Sequence, residues 1–477
     1  MNYHTYFAEA DIVDTCIVGT GDFGRSFLVQ GLRVPLMTAR VAVDVSAGRA
    51  AAAICSAGID PLSIAICSTP AEAESAWSAG KHIAAGDVSV VLRLPFKVLV
   101  EATGHPEAGA RHARMAIEAG KHVIMVSKEA DSVVGPGLSL LAQQRGVVIT
   151  PVDGDQPSLL ISLISWAETL GFEIVAAGKS SEYDFIYDAK AGTLTSNGVT
   201  VDASAYAGID SLKDADAAEM ARARSEVASA FDQHLVPDLC ELTLVANATS
   251  LNFDRADFHA PIARINEVPS FLSTQRDGGL LVSSPALDVF HCLRAPDEVS
   301  FAGGVFVVVR CEDRAVWDIL AEKGHIVSRN GSTAMIYNPR HLLGLEAATC
   351  VLAAAHHRVS QGMRTPTHRF DLVARAATEL PAGTVLTARG HHHRIDGVSG
   401  HVVPASALTP DAPIPFYLAA NRRLLRPVAA GQTIVLSDIE VDEDSELFCL
   451  RRMQDSYFFG HKTDPVQGGA SGQVSLP

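Results

Sequence analysis

Basic residues are scarce in this chain: 38 lysines and arginines stand against 54 aspartates and glutamates, a formal net charge of −16. Nucleic-acid binding needs clustered Lys and Arg to neutralise phosphates, so that class of partner is set aside. A small anionic substrate is not, because it needs only a local basic pocket. Long apolar runs are also missing. No stretch reaches the roughly 18 uncharged residues of a membrane span. The opening Met1-Asn2-Tyr3-His4-Thr5 has no basic segment leading into an apolar core, the mark of a secretory signal. A cytoplasmic protein with no membrane partner is expected. The eight cysteines contain no C-x-x-C pair, which excludes a zinc ribbon and fits reduced thiols in a core. Charged residues make up only 19% of the 477 while hydrophobic ones reach 48%, so the chain can bury a large interior; at this length two or three domains are expected.

Glycine, by contrast, is present where it carries meaning. An apolar run over residues 13–18 leads into Gly19-x-Gly21-x-x-Gly24, with Asp22 and Phe23 inside the motif, and Asp44 closes a second apolar run, Val41-Ala42-Val43. Strand, glycine turn, helix and an acid about 20 residues on form a dinucleotide site: the glycines admit the pyrophosphate and the close packing of the helix, and Asp44 accepts hydrogen bonds from a ribose diol.

Residues 14–150 alternate Val/Ile runs with Ala-rich, helix-compatible stretches, the pattern of a doubly wound parallel α/β sheet of Rossmann type. The run through residues 97–106 is a buried strand opening into a loop, so Thr103 and Gly104 are expected to border the cofactor. A helix over residues 107–119 and a strand over 121–126 then deliver Ser127-Lys128-Glu129-Ala130-Asp131 where chemistry belongs. Beyond Asp155 a helix over 158–170 opens a second, α+β domain, with strands at 173–177, 305–310 and 334–337. Past residue 370 short runs and x-A-G-x-x-[IVL] turns point to a small β-rich module. The expected division is 1–152 for the cofactor domain, 153–369 for the substrate domain, 370–455 for the β-rich module and 456–477 for a disordered tail.

Gly19-x-Gly21-x-x-Gly24, Ala102-Thr103-Gly104, Ala119-Gly120-Lys121-His122-Val123 and Ser127-Lys128-Glu129-Ala130-Asp131, in that order, resemble homoserine dehydrogenase-type oxidoreductases. With Val134-Gly135-Pro136, Gly154-Asp155-Gln156-Pro157-Ser158, Ala177-Gly178-Lys179, Ala246-Asn247-Ala248-Thr249 and His341-Leu342-x-x-Leu345-Glu346 added, the chain resembles the 1-deoxy-D-xylulose 5-phosphate reductoisomerase-like family over residues 1–455. That resemblance implies a homoserine dehydrogenase-like NAD(P)-binding core followed by a SAF module. It implies an oxidoreductase acting on CH–OH groups of a small polyhydroxylated or phosphorylated carbonyl compound, with or without skeletal isomerisation. The alternatives are a plain dehydrogenase of a sugar acid or homoserine-like alcohol and a non-catalytic cofactor- or carbohydrate-binding protein. Members that use NADPH tend to have a small or hydroxyl residue with nearby arginines where this chain has Asp44. A carboxylate there repels a 2′-phosphate, so NAD(H) is favoured over NADP(H). Lys128 departs from the reductoisomerase-like pattern and matches the homoserine dehydrogenase lysine.

Hydride transfer requires a group to shuttle the hydroxyl proton. Lys179, following a strand in an apolar segment, is the first candidate, since desolvation lowers a lysine toward neutrality. Lys128 is the second, for proton transfer or cofactor contact. Asp155 and Glu241 can orient a polyol, Asn247 can donate to it, and Glu129, Asp131 and Asp155 form the candidate set for a divalent cation. His391-His392-His393 and His356-His357 lack partner ligands and read as exposed turns. The C-terminal module is expected to cover the site or mediate contacts in a homo-oligomer rather than supply chemistry, with His391, Arg394 and His401 as the residues that would contradict this.

Overall fold

The computed structural model describes residues 1–390 and 393–460. Seven parallel strands, β1 (Val13–Val18), β2 (Met37–Val43), β3 (Ile64–Cys67), β4 (His82–Ala85), β5 (Val98–Glu101), β6 (His122–Met125) and β7 (Ile149–Pro151), form one sheet in the order β3-β4-β2-β1-β5-β6-β7. Side chains alternate between its faces. Cys16, Val18, Val41, Val43, Leu99 and Val123 enter one core, while Val13, Ile17, Ala42, Val98, Val100 and Ile124 enter another. With both faces covered, each strand reads as an unbroken apolar run. The order turns at β1, which pairs β2 on one side and β5 on the other. That crevice is where ligands bind in such sheets.

The helix Gln156–Thr169, capped by the Asp155 carboxylate on Gln156 N–H at 3.0 Å, leads into the second unit. Its mixed sheet contains β8 (Ile174–Ser180), β9 (Phe185–Asp188), β10 (Thr193–Ser196), β11 (Val199–Asp202), β12 (Asn252–Phe253), β13 (Ile262–Ala263), β14 (Ala286–Arg294), β15 (Val305–Arg310), β16 (Ile326–Val327) and β17 (Thr333–Asn338). Central β8 pairs parallel with β14 and antiparallel with β15. One face, with Val305, Val307 and Val309, packs on Leu160, Ile164, Leu242 and Val245 of the helices Gln156–Thr169 and Val236–Ala248. The other, with Phe290, Phe306 and Val308, packs on Phe271 and Leu272.

Two expected boundaries move. After β17 the chain returns to the first unit instead of staying with the second to residue 369. The helical stretch Ala348–Leu352 and Ala353–His357 buries Cys350, Val351 and Ala354 against Ile17, Phe27 and Val100, because that face of the first sheet needs an apolar cover. The expected tail boundary at residue 456 falls inside a helix. The helix Glu446–Phe459 buries Leu447, Phe448 and Leu450, and residues 461–477 lie outside the described part.

Between them lies the β-rich module, in which β18 (Phe370–Ala376) pairs β21 (Val398–Pro404) and β19 (Ala388–Arg389) pairs β20 (Arg394–Ile395). The x-A-G-x-x-[IVL] runs at 381–386 and 427–435 make isolated bridges rather than full strands, Val385 with Arg423 and Val428 with Leu380. Pro381 and Pro427 remove backbone donors there, and Gly383 and Gly431 turn the chain at φ +84° and +81°. The last helix ties the module to the first unit: Arg114 pairs Glu446 at 2.6 Å, and Gln454 accepts from Gly137 N–H at 2.7 Å and donates to the Val133 carbonyl at 3.1 Å. The helices Pro106–Glu118 and Lys128–Arg145 of the first unit both pack against this last one.

Candidate functional site

Gly19 ends β1 at φ +90°, and a Cβ there would lie 2.5 Å from the Ala102 carbonyl oxygen, so only glycine lets the β1 and β5 loops meet at the crevice. Gly24 is needed for a different reason: its Cβ would lie 2.0 Å from the Gly19 carbonyl oxygen. Beside Gly21 there is open space. It also caps the helix Asp22–Gly31 without a side-chain hydrogen bond, leaving the first N–H groups of the helix for an anion. Asp22 is exposed in the first turn and Phe23 is half-buried behind it. Asp44 accepts from Thr20 N–H at 2.9 Å, from the Thr20 hydroxyl and from Val45 N–H at 2.7 Å, with Arg49 at 3.4 Å. Burial raises its pKa, but these hydrogen bonds and the Arg49 charge outweigh it and hold the carboxyl below its ordinary value.

At the end of β5 the Thr103 hydroxyl donates to Glu101 at 2.6 Å, and Gly104 N–H donates to the Ser127 hydroxyl at 2.8 Å. Glu101, absent from the expected set, is fully buried with His112 Nδ1 3.3 Å away. These residues form a cradle that fits a dinucleotide.

Next to it the two units meet across charges. Lys128 Nζ, at the start of its helix, lies 3.2 Å from Asp155 and 2.5 Å from Glu241. Glu241 gives its other oxygen to Lys179, which also donates to Asp238 at 2.7 Å; Asp238 in turn accepts from the Ser181 hydroxyl at 2.7 Å. His341 Nε2 stands 3.5 Å from Asp155. Burial lowers the pKa of Lys128, yet the Asp155 and Glu241 charges overcome it and raise the ammonium well above its ordinary value. Asp155, which burial would raise, is held well below its own, first by Lys128 and then by His341.

Several expectations are corrected here. Lys179 lies within β8, and its pKa is raised: burial disfavours the ammonium, but Asp238 and Glu241 more than compensate. Its side chain is 2% exposed against 25% for Lys128, so Lys128 is the more open of the two lysines. Asn247 lies six residues beyond Glu241, about 9 Å along the helix. Its amide accepts from Arg369 and Phe370 N–H and donates to the Phe370 carbonyl, a joint to the C-terminal module and not part of the site.

Glu129, Asp131 and Asp155 do not converge on a cation. Residues 129 and 131 are about 200° apart around their helix. Burial alone pushes Asp131 up to about 7, and burial, more than the neighbouring charges, takes Glu129 up to about 7. Among the described residues no group of three His, Cys, Asp or Glu could hold a metal.

The C-terminal module also reaches further than expected. His393 Nε2 lies 3.6 Å from Glu129, and Tyr417 is buried beside Cys240 and Glu129. His391 and His392 lie outside the described residues, Arg394 lines a neighbouring cleft, and His401 sits 3.4 Å from Arg375. Asp238 and Ser181 also went unread; the clue available for Asp238 is its i,i+3 spacing from Glu241 on an otherwise apolar helix, where buried carboxylates demand partners.

Residues 154–347 match the family model described as oxidoreductase DRL, catalytic domain. The second unit is thus similar to an oxidoreductase catalytic domain. No curated protein matches the chain. Among solved structures it is similar to DOX-P reductoisomerase in complex with magnesium (18% identity, 36% of this chain and 46% of that one, TM-score 0.27). It is also similar to GenD2 from gentamicin A biosynthesis in complex with NAD (19%, 36% and 45%, 0.25), and to 1-deoxy-D-xylulose 5-phosphate reductoisomerase from Zymomonas mobilis in complex with NADPH (16%, 36% and 46%, 0.26). The chain spans less than half the length of each of these structures. No described helix is long and apolar enough to cross a membrane.

Proposed function

We propose that this chain is a nicotinamide-dependent oxidoreductase of a small polyhydroxylated or phosphorylated carbonyl compound, in which Lys128 gives the proton to the carbonyl oxygen. The observation that carries the reading is the position of Lys128. It is the partly exposed end of a buried charge set, next to Ser127 and Gly104 at the rim of the glycine crevice.

Gly19, Gly21 and Gly24 would admit the dinucleotide pyrophosphate, Asp44 would take the ribose diol, and Thr103 and Gly104 would border the ring. Bound there, the nicotinamide supplies or accepts a hydride. As the carbonyl oxygen gains negative charge, the Lys128 ammonium stabilises it and donates a proton. Asp155 and Glu241 aim that ammonium and keep it charged. In the opposite direction the amine must first be neutral, which the same carboxylates oppose, so the arrangement favours reduction near neutral pH. Because Asp155 and Glu241 already serve Lys128, plain hydride transfer accounts for the site better than reduction joined to isomerisation. The Asp44 carboxylate supports NAD(H) over NADP(H).

A panel of sugar phosphates, ketoses and keto sugar acids, assayed by nicotinamide absorbance with NADH and NADPH, tests this. Consumption of NADH by a member of the panel is the expected result. Tight NADH binding with no turnover of any member would make the protein a cofactor-binding one instead.

A further inference from the structure

The pairing of Lys128 with Glu241 continues inward. From Lys128 the hydrogen bonds pass through Glu241, Lys179 and Asp238 to Ser181, donors alternating with acceptors. The middle is sealed, with the side chains of Lys179, Asp238 and Glu241 at most 4% exposed. At its far end Ser181, itself buried, lines a cleft of about 760 Å³ between the second unit and the C-terminal module. We propose that Lys128, Glu241, Lys179, Asp238 and Ser181 form a proton relay that reloads the Lys128 ammonium from water in this cleft. The inference rests on the reading of Lys128 as a proton donor.

Stability alone gives little reason for such a set, because buried ion pairs seldom outperform apolar residues of similar volume. Charge gives a better one. Three carboxylates, Asp155, Glu241 and Asp238, stand against two ammoniums, an excess of one negative charge before His341 beside Asp155 is counted. A substrate and a nicotinamide over Lys128 would exclude water from its exposed edge, leaving the buried route.

The protons balance. Lys128 gives one to the alkoxide and becomes neutral. Glu241 takes one from Lys179, turns its carboxyl group and passes it to Lys128. Asp238 does the same between Ser181 and Lys179, while the Ser181 oxygen regains its proton from cleft water, whose hydroxide is neutralised by bulk buffer. One proton enters from water, one leaves on the product alcohol, and no electrons move along the relay.

Two measurements on the full chain test the relay. The first needs no cofactor: trace acetylation of Lys128 by acetic anhydride, read by mass spectrometry. Asp238 does not touch Lys128, yet in a connected set Asp238→Asn removes a charge that holds the ammonium, and Lys128 acetylation rises about threefold or more. Asp232→Asn, a cleft carboxylate outside the set, leaves it unchanged. Equal acetylation in Asp238→Asn and the unaltered protein overturns the relay.

The second is rapid mixing of NADH with the panel compound turned over fastest. Ser181→Ala should keep one fast turnover per site, because Lys128 starts loaded, and then run about tenfold slower, with a larger slowing in D2O. Ser181→Thr restores the rate. Equal slowing of first and later turnovers, or none, overturns the relay and leaves Lys128 as donor. If no compound is turned over, the functional reading fails, and acetylation alone decides whether the set is connected.

Discussion

Glu241 offers one carboxylate oxygen to Lys128 and the other to Lys179, joining a lysine of the first unit to a lysine of the second. Glu241→Gln weakens both contacts at once and leaves two buried ammoniums with one carboxylate partner fewer. We expect a loss of about 3 kcal/mol in urea denaturation, as for other broken buried pairs. A variant as stable as the parent would show that the remaining Asp155 and Asp238 contacts suffice.

Lys128→Met should lower kcat about 100-fold or more while NADH affinity, measured by fluorescence titration, stays within a few-fold. Near-normal turnover in this variant would transfer the proton step to Lys179 or to His341.

Asp44→Ser removes a charge-assisted acceptor for the ribose and a repulsion toward a 2′-phosphate. The NADH to NADPH preference should move toward NADPH by about 1 to 3 kcal/mol in parallel binding titrations. Since Asp44 also holds the Thr20 loop, affinity for both forms is expected to fall somewhat. Stronger NADPH than NADH binding by the unaltered protein would overturn the cofactor assignment.

Asp131 gives a pH dependence of definite sign. Burial takes its carboxyl from 3.8 to about 7, so between those values the folded state holds a proton that the unfolded state has lost. Unfolding then releases protons, and stability falls as pH rises through that window, by at most about 1.4 kcal/mol per pH unit. Asp131→Asn carries no such proton. Its melting temperature, compared with the parent at pH 4, 5.5 and 7, should gain steadily; a constant difference would place Asp131 in a wetter setting than burial indicates.

Arg451 grips both oxygens of Asp371 at 2.7 and 2.8 Å and holds Asp455 at 2.7 Å. Arg451→Met strands these carboxylates in the interior and should cost about 3 to 5 kcal/mol, with earlier proteolysis of the C-terminal helix. Arg451→Met combined with Asp371→Leu should recover part of that loss. A double variant no better than the single one would assign the anchoring to Asp455.

The first unit was legible because parallel strands covered on both faces write themselves as apolar runs, and because only glycine fits at Gly19 and Gly24. The charge set was half legible. Lys128 and Asp155 each sit at the start of a helix following a first-sheet strand, where local patterns place them. Lys179 has partners 59 and 62 positions away, so its apolar neighbours in sequence suggest a lowered pKa where the fold supplies two carboxylates and raises it. Asn247 misled for a related reason. A polar residue in an apolar helix signals a partner, and nothing local tells a substrate from the backbone of residue 370.

Gly137 and Gln454 touch across 317 positions of chain. A ribosome making this protein therefore releases the first unit long before the helix that roofs it exists. In that interval the faces of helices Pro106–Glu118 and Lys128–Arg145 that this helix covers, with Arg114 and Gly137 among its partners, stand open to solvent and to other chains. Premature termination before residue 446 is expected to leave those faces uncovered and the chain prone to self-association.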